Sequence, residues 1–324
     1  MNGAESFEVW PLVMGLFGGL ALFLFGMDMM SQALKAVAGE RMKSILATLT
    51  SNRITGALTG AFVTAIIQSS SVTTVMVVGF ITAGLMSLSQ SIGIIMGANI
   101  GTTVTAQIIA FKVTKFALLL IAAGFGMTLI SRLEKLRFHG KGIMGLGLLF
   151  FGMGVMGEAM QPLRDYGPFL DWMTHMDNPV VGILAGALFT ALVQSSSATT
   201  AVVIVSAGQG ILSLPAGIAL IFGANVGTCV TAILASIGRP REALRASIVH
   251  VLFNLAGVLL WLGFIDELAR WVTAISPVSE ELIGVERLSA ETPRQIANAH
   301  TIFNVVNTTL FLGFSTQFAR FVEW

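Results

Sequence analysis

Two short runs of polar but uncharged residues interrupt the longest apolar stretches of this chain. The first run is Gln68-Ser69-Ser70-Ser71, and the second is Gln194-Ser195-Ser196-Ser197, 126 residues later. The surrounding stretches, 54–111 and 178–238, contain no Lys, Arg, Asp or Glu. A helix break at membrane depth is tolerated only where protein or water shields the backbone, and paired breaks are typical of a transporter's binding site. The two runs are therefore the first candidates for a solute site.

The residue types of these runs suit an anion. A helix that restarts after a break presents unpaired N–H groups and a partial positive charge at its first turn. Serine hydroxyls at that turn add donors, and neutral donors avoid the cost of an empty buried charge. Two such helix starts meeting near the middle of the membrane would enclose one tetrahedral oxyanion. Sodium is the natural second solute, because unwound carbonyls and Ser, Thr, Asn or Gln side chains supply oxygen ligands.

The composition requires lipid around the protein. Of 324 residues, 55% are hydrophobic and 11% are charged, and the mean hydropathy is +0.84, whereas soluble domains carry about 25% charged residues. Apolar stretches near the roughly 20 residues that a spanning helix needs lie at 9–33, 116–131, 142–160, 243–264 and 293–322. Alternating segments typical of a membrane β-barrel are not seen. The sequence therefore predicts an all-α integral membrane protein in contact with membrane lipid.

Charge and cysteine content exclude other classes. The net charge of +1 gives no general attraction for nucleic acid, and the single Cys229 rules out an internal disulfide. The residues before the first apolar run include Glu5 and Glu8 and no basic cluster, which is not typical of a cleaved secretory signal. We expect the first span to remain in the mature protein.

The chain repeats itself at a fixed offset of 126 residues. Besides the Gln-Ser-Ser-Ser runs, the sequence Gly-Ala-Asn-x-Gly-Thr occurs at 97–102 and again at 223–228. Between 52–78 and 178–204, 14 of 27 positions are identical. A match of this quality at one offset and without gaps indicates a duplicated unit.

The charges of equivalent loops indicate that the two copies are inverted in the membrane. The loop 35–53 carries a net charge of +3, and its counterpart 161–178 carries −2. Likewise 132–141 carries +3, and the later segment 265–291 carries −4. Since loops rich in Lys and Arg stay in the cytoplasm, equivalent loops are expected on opposite faces of the cell membrane.

This orientation places the N-terminus outside and the C-terminus in the cytoplasm. Lys112 and Lys115 fit it poorly, because they would face outside. Each copy is then expected to make three crossings and one re-entrant helical hairpin, with an interruption of the following crossing at Gly97–Gly101 left open. The predicted units are repeat 1 at 1–135 with a hairpin at about 54–87, repeat 2 at 136–264 with a hairpin at about 180–212, an extracellular loop at 265–292 and a final span at 293–324.

Glycine pairs in both hairpins predict close helix packing. Gly56-x-x-x-Gly60 and Gly182-x-x-x-Gly186 each place two glycines one turn apart. Small residues at this spacing allow the backbones of membrane helices to approach closely, so we expect a packing role for these four glycines.

The combined motifs resemble the type II sodium–phosphate cotransporter family. The resemblance rests on the duplicated Gln-Ser-Ser-Ser and Gly-Ala-Asn-x-Gly-Thr motifs and on His-x-x-Phe-Asn at His250–Asn254 and His300–Asn304, and it covers 15–320. It implies sodium-coupled symport of inorganic phosphate by alternating access, with sodium as co-substrate and no cofactor. The solute ligands it implies are Gln68, Ser69, Ser70, Ser71, Thr73, Thr74, Asn99, Thr102, Gln194, Ser195, Ser196, Ser197, Thr199, Thr200, Asn225 and Thr228. Sodium is assigned to Gln68, Ser71, Gln194 and Ser197.

Two departures from the family pattern carry expectations of their own. Vertebrate members have His-Asp-Phe-Phe-Asn in the first repeat, and the Asp linked there to an additional sodium site is Phe125 in this chain. We therefore expect fewer bound sodium ions and electroneutral transport. The chain also ends at Trp324, before the cytoplasmic helical domain that many bacterial members carry after the last span.

Structural roles compete with some of these assignments. Ser and Thr in membrane helices often serve only packing, and Asn99 and Asn225 are open to a role as caps of a helix break. Within His250–Asn254 and His300–Asn304, the His and Asn lie on one helix face, which favours structural hydrogen bonding. For function, the alternatives are an anion channel, a carrier for another oxyanion and an intramembrane serine hydrolase. The oligomeric state, a homo-oligomer included, is left open.

Overall fold

The structure is a computed structural model, and it describes residues 9–38, 52–111 and 113–323. The predicted extracellular N-terminus, most of the predicted loop 35–53, Lys112 and residue 324 lie outside the described residues. Every regular element within the described ranges is a helix, with no strand. The predicted all-α class is therefore confirmed.

The described residues form fifteen α-helices joined by short turns. They are α1 (Val9–Ala38), α2 (Arg53–Ile67), α3 (Ser70–Thr82), α4 (Leu88–Ile109), α5 (Ala117–Ile130), α6 (Glu134–Met160), α7 (Gly167–Met173), α8 (Pro179–Val193), α9 (Ser196–Gly208), α10 (Leu214–Gly227), α11 (Cys229–Ser236), α12 (Arg241–Trp261), α13 (Ile265–Ile275), α14 (Gly284–Gly313) and α15 (Ser315–Glu323). Short 3-10 segments lie at Thr114–Phe116, Gln161–Asp165, Thr174–Asp177 and Leu262–Phe264. Helices α2, α3 and α4 correspond at the 126-residue offset to α8, α9 and the pair α10–α11.

Five helical segments within the described ranges are long and apolar enough to cross a membrane. They are Val9–Ala38, Leu88–Ile109, Glu134–Asp165, Leu214–Ser236 and Arg241–Ile275. The hairpin helices α2, α3, α8 and α9 have only 13 to 15 residues. They are shorter than the roughly 20 residues of a full crossing, which is the length expected of re-entrant segments.

Each polar run marks the turn between two of these short helices. In the first copy α2 ends at Ile67 and α3 begins at Ser70, and in the second copy α8 ends at Val193 and α9 begins at Ser196. The helix is therefore broken within the Gln-Ser-Ser-Ser sequence of both copies.

Glycines let each hairpin pack directly on the helix that follows it. A Cβ added to Gly60 on α2 would lie 2.2 Å from the Ile94 carbonyl oxygen on α4, and one added to Gly97 would lie 1.9 Å from that of Ala57. A Cβ added to the equivalent glycines of α8 and α10 would lie 2.1 and 2.0 Å from a backbone carbonyl oxygen. Distances this short leave no room for a Cβ, so the predicted close contact is confirmed at Gly60 and Gly186, whereas a Cβ on Gly56 would meet its nearest atom at 3.6 Å.

The interruption left open at Gly97–Gly101 does not occur. Helix α4 runs through this segment without a break, because its glycines serve the contact with α2 and not a change of direction. In the second copy the equivalent helix is divided at Thr228, where α10 gives way to α11. We have no physical account of that difference between the copies.

Helices α1 and α6 pack on each other through reciprocal glycine contacts. A Cβ on Gly19 would lie 2.7 Å from the Gly152 oxygen, and a Cβ on Gly26 would lie 2.5 Å from the Gly145 oxygen. The contacts run in antiparallel order along the two helices. At the 126-residue offset Gly19 is equivalent to Gly145, and Gly26 is equivalent to Gly152. Each contact therefore joins the first position of one copy to the second position of the other copy. Two antiparallel helices related by a two-fold axis make contacts of this kind.

The predicted extracellular loop 265–292 contains helix α13 and the first turns of α14. Ile265, Leu268 and Val272 of α13 are buried along one stripe, while Arg270 is exposed on another face. Spacings of three and four residues between the buried positions are typical of an amphipathic helix. Asp266, Glu267 and Arg270, three of the charges that suggested a loop, lie on this helix, and the others lie in the following turn and in α14.

The last long helix differs from the predicted final span 293–324. Helix α14 begins at Gly284 and ends at Gly313, and α15 follows it. Hydropathy misplaced this element because α14 is polar along its length and buries side chains such as Gln295 and Asn304. It contacts α4 of the first copy and α9 and α10 of the second, so its polar groups face protein and not lipid.

Candidate solute-binding site

Two glutamines turn the chain at the hairpin tips. Gln68 (φ 60°, ψ 24°) and Gln194 (φ 58°, ψ 24°) have the left-handed conformation, and they are the only non-glycine residues with positive φ in the described part of the chain. This conformation costs an L-residue roughly 1–2 kcal/mol. A cost borne at the same position in both copies indicates that the side chain is needed there.

The glutamine side chains are fixed by hydrogen bonds on both sides. The amide nitrogen of Gln68 donates to the carbonyl oxygen of Ala65, and its Oε1 accepts a hydrogen bond from Thr105 at 2.7 Å. In the second copy, Gln194 donates to the Ala191 carbonyl and accepts from Thr231 at 2.6 Å. Each tip is thereby tied to the helix that follows its hairpin. Each amide oxygen keeps one lone pair free of these contacts.

The serines begin the returning helices. The Oγ atoms of Ser69 and Ser195 accept hydrogen bonds from the N–H groups of Val72 and Ala198, both at 3.2 Å, and so cap α3 and α9. The following serines occupy the first turn of each helix. Within the described part of the chain, no hydrogen bond is made by the hydroxyls of Ser70, Ser71, Ser196 and Ser197. Both helix N-termini therefore present unused hydroxyl and N–H donors.

Threonines cross-link the two arms of each hairpin. The hydroxyls of Thr64 and Thr73 lie 2.8 Å apart, and those of Thr190 and Thr199 lie 2.6 Å apart. Thr73 and Thr199, predicted as neighbours of the solute, are thus engaged in holding the hairpin together. The Oγ1 of Thr74 is buried and has no hydrogen-bond partner in the described residues, and its equivalent Thr200 is also buried.

The Gly-Ala-Asn-x-Gly-Thr motifs connect helices. Asn99 on α4 donates its side-chain amide to Asn254 on α12 at 2.6 Å, and Asn225 on α10 donates to Asn304 on α14 at 2.9 Å. These amide pairs give both asparagines a structural role. A helix-capping role is wrong for Asn99, because α4 is continuous there.

The threonines of the same motifs bond within their own helices. Thr102 donates to the Asn99 carbonyl at 2.7 Å, and Thr228 donates to the Asn225 carbonyl at 2.6 Å. Their hydroxyl hydrogens are therefore occupied, and a solute could reach only the remaining lone pairs.

The His-x-x-Phe-Asn runs supply the partners of the motif asparagines. The amide nitrogens of Asn254 and Asn304 donate to the carbonyls of His250 and His300, four residues earlier, at 2.9 Å. This is the structural hydrogen bonding that their spacing favoured. Phe125, by contrast, is 56% exposed on α5, a helix that packs against α6.

The two hairpin tips differ in how well they are covered. The hydroxyl of Ser31 on α1 donates to the Ile67 carbonyl at 2.7 Å, and Gln68 is only 3% exposed. At the position equivalent to Ser31 the second copy has Gly157, and Gln194 is exposed. One tip is therefore enclosed by protein, and the other is open.

Four residues that position the tips escaped the sequence prediction. Thr105 and Thr231 hold the glutamines, and Thr64 and Thr190 cross-link the hairpins. Each pair is identical at the 126-residue offset. These positions could have been found from the sequence, because the same polar residue occurs at both equivalent positions.

A family model described as Na+/Pi-cotransporter matches residues 22–158 and 167–288, which is most of the chain. No solved structure matches.

Individual relatives agree with this family. An uncharacterized protein of Bacillus subtilis, YqeW, is 31% identical over 82% of this chain and 87% of its own length. A Salmonella typhimurium protein named "Putative inorganic phosphate export protein YjbB" is 28% identical over 83% of this chain, which spans about half of that relative's length. Sodium-dependent phosphate transport protein 2A of Rattus norvegicus is 24% identical over 78% of this chain and 60% of its own length. The matching model describes transporters and not enzymes, and the chain belongs to the Na+/Pi-cotransporter family.

Proposed function

We propose that this protein transports inorganic phosphate together with sodium, and that both hairpin tips contribute to one solute site. The observation that carries the proposal is the set of four serine hydroxyls, at two helix N-termini, that have no partner among the described residues. Membership of the Na+/Pi-cotransporter family supports the choice of phosphate and sodium as solutes. The names of the rat and Salmonella relatives agree with phosphate as the solute.

Phosphate suits the tips because each of its oxygens can accept hydrogen bonds. Ser70 and Ser71 on α3, and Ser196 and Ser197 on α9, would donate hydroxyls and first-turn N–H groups to its oxygens. The positive ends of the two helix dipoles would add a favourable field. No charged residue lies in 54–111 or in 178–238, the stretches that contain the two tips, so the site would not hold an uncompensated charge when it is empty.

Sodium would offset the charge of the bound phosphate. Gln68 and Gln194 each have an amide oxygen with a free lone pair, held in place by Thr105 and Thr231. The adjacent hydroxyls of Ser71 and Ser197 would complete an oxygen environment of the type that Na⁺ prefers. We keep the expectation of electroneutral transport, since the residue at 125 is Phe.

Alternating access is supported by the unequal cover of the two tips. Repeats that are inverted can exchange conformations, so that the covered tip of one state becomes the open tip of the other. The reciprocal glycine contacts between α1 and α6 support inverted copies. The contact of Arg53 with the Leu312 carbonyl at 3.1 Å supports the placement of the loop 35–53 and the C-terminus on one face, which we propose to be cytoplasmic.

The direction of transport would follow the gradients. The Salmonella relative is named for phosphate export and the rat relative for sodium-dependent phosphate transport. A coupled carrier can run either way, so both names are compatible with one mechanism.

Proteoliposomes with radiolabelled phosphate test this proposal. We expect phosphate to accumulate under an inward sodium gradient and not under an equal potassium gradient, and to leave loaded vesicles when the sodium gradient is reversed. Flux that does not require sodium would favour an anion channel. Accumulation of sulfate, without accumulation of phosphate, would favour a carrier for another oxyanion.

A further inference from the structure

A second polar cavity lies where α4, α6 and α9 end. Its volume is about 670 Å³, and the side chains around it include the cations Lys115 and Arg164, the carboxylate Glu158 and the amides Gln161 and Gln209. The hairpin serines do not line it. The cavity is therefore distinct from the solute site proposed above.

The two cations that line this cavity form no ion pair within the described part of the chain. They are Lys115 and Arg164, and the Nε of Arg164 is buried without a hydrogen-bond partner among the described residues. A buried guanidinium N–H that lacks an acceptor is costly. The arrangement is that of a site whose acceptor is a bound ligand.

A third cation, Arg294, lies next to this cavity without lining it. Arg294 follows Pro293, which lines the cavity, and its guanidinium lies 4.6 Å from the ring centre of Phe111, another lining residue. Its Nη1 is also buried without a partner in the described residues. Stacking on an aromatic ring fixes the plane of a guanidinium and leaves its edge free to donate.

The position of these cations resolves the poor fit of Lys115 to the charge pattern. The cavity joins the segment around Lys115 to the acidic segment 161–178, so both lie at one end of the helices. Basic residues are otherwise few in 161–178. They are also few in 265–291, which ends in the first turns of α14. The positive-inside preference disfavours Lys and Arg on the outer side of the membrane. Cations that nevertheless lie there, close together at one cavity, indicate that the cavity requires positive charge.

The cavity is also close to the first hairpin along α4. Ile109 lines it and lies one helical turn beyond Thr105, the residue bonded to Gln68. Apolar side chains that are exposed outside the protein, among them Leu118 and Phe151, form another part of its wall. A ligand could therefore enter from water or from the surrounding lipid.

We propose that this cavity binds a phosphate-type oxyanion through Lys115 and Arg164, with Arg294 adding positive charge beside it. The oxyanion is either free inorganic phosphate or the headgroup of an anionic phospholipid, since both offer the same acceptors to guanidinium and ammonium groups. Glu158 lines the cavity as well, and its negative charge weakens binding and allows release.

Protection of Lys115 from acylation tests the proposal in the full-length protein. The rate of modification at Lys115 is measured by peptide mass spectrometry in lipid nanodiscs, relative to Lys135 on α6, which does not line the cavity. One sample has phosphatidylcholine alone, a second adds inorganic phosphate against chloride of equal ionic strength, and a third contains phosphatidylglycerol without phosphate. We expect the Lys115 rate to fall several-fold in the second sample, the third or both. The second sample identifies free phosphate and the third identifies a lipid headgroup.

Variants separate this cavity from the hairpin site. Arg164→Gln should raise the ligand concentration that gives half-maximal protection about 10-fold, as expected for loss of a charge-assisted hydrogen bond, whereas Glu158→Gln should lower that concentration. Ser70→Ala should leave protection unchanged even where it abolishes transport. Equal Lys115 rates in all three samples would overturn the proposal. An unchanged half-maximal concentration in Arg164→Gln, or loss of protection in Ser70→Ala, would overturn it as well.

Discussion

At the residue scale, the polar groups of each hairpin divide into those that are bonded within the protein and those that are free. Gln68 accepts a hydrogen bond from Thr105, and Thr73 is hydrogen-bonded to Thr64. The hydroxyls of Ser70 and Ser196 are not bonded to any described residue. Bonded groups fix the geometry of the tip, and the free ones are available to a solute.

Substitutions at Gln68 separate its backbone role from its side-chain role. Gln68→Gly loses the Thr105 hydrogen bond but accepts the left-handed conformation without strain, whereas Gln68→Ala loses the bond and keeps the strain. We expect the alanine variant to be less stable than the glycine variant by about 1 kcal/mol. Thermal unfolding in detergent gives the comparison. An alanine variant as stable as the glycine variant would mean that the strain is relieved in some other way.

At the element scale, the glycines that meet backbone oxygens determine how closely helices pack. Gly60 and Gly79 are both helical glycines of the first hairpin, but a Cβ on Gly60 would collide with Ile94, and one on Gly79 would meet no atom within 4 Å. The hairpin should therefore tolerate a methyl group at one glycine and not at the other.

The matched variants Gly60→Ala and Gly79→Ala test this packing. We expect Gly60→Ala to destabilise the protein by about 1–3 kcal/mol, because α2 must move away from α4. Gly79→Ala should be neutral or stabilising by up to about 1 kcal/mol, since alanine favours the helix. The free energy of unfolding is measured for both in the same detergent. Equal losses of stability would contradict the direct contact of α2 with α4.

The asparagine pairs are also element-scale features, since they join helices from different parts of the chain. Asn99 and Asn254 lie 2.6 Å apart through their amides, whereas Asn99 makes no described bond with Asn304. A double-mutant cycle with alanine at Asn99 and Asn254 should give a coupling energy of about 0.5–3 kcal/mol. The cycle with Asn99 and Asn304 is the control and should give a value near zero. A value near zero in both cycles would contradict the amide pair.

Sequence patterns predicted the elements that follow simple periodicity and missed those shaped by tertiary contact. The Gln-Ser-Ser-Ser runs marked both helix breaks. In lipid, a polar run between two short apolar stretches is tolerated only where protein or water shields the backbone. The start of α14 at Gly284 was missed, since a helix surrounded by protein need not be apolar. Continuity of α4 was not predicted either, because glycine favours helix breaks and close contacts alike.

At the scale of the whole molecule, the duplication provides pairs of equivalent positions that report on how the two copies are oriented. Lys35 and Gln161 are equivalent at the 126-residue offset, and both side chains are exposed near helix ends. In inverted copies such a pair lies on opposite faces of the membrane, and in parallel copies it lies on one face.

Cysteine labelling of these two positions tests the inversion. In a Cys229→Ala background, we expect a membrane-impermeant thiol reagent to label Gln161→Cys in intact cells, and to label Lys35→Cys only after permeabilisation. The expected sides follow from the basic loop 35–53 and the acidic loop 161–178. Labelling of both cysteines from the same side would contradict inverted repeats.

The central claim is that both hairpin tips hold one phosphate ion, and the most direct measurement is sodium-driven phosphate flux in Ser70→Ala, Ser196→Ala and the double variant. Ser91→Ala is the control, because Ser91 is buried and bonds only to its own helix. Each tip variant should lower the initial rate at limiting phosphate about 10-fold or more, while Ser91→Ala keeps the rate of the unmodified protein. A normal rate in either single tip variant would contradict a site shared by the two tips.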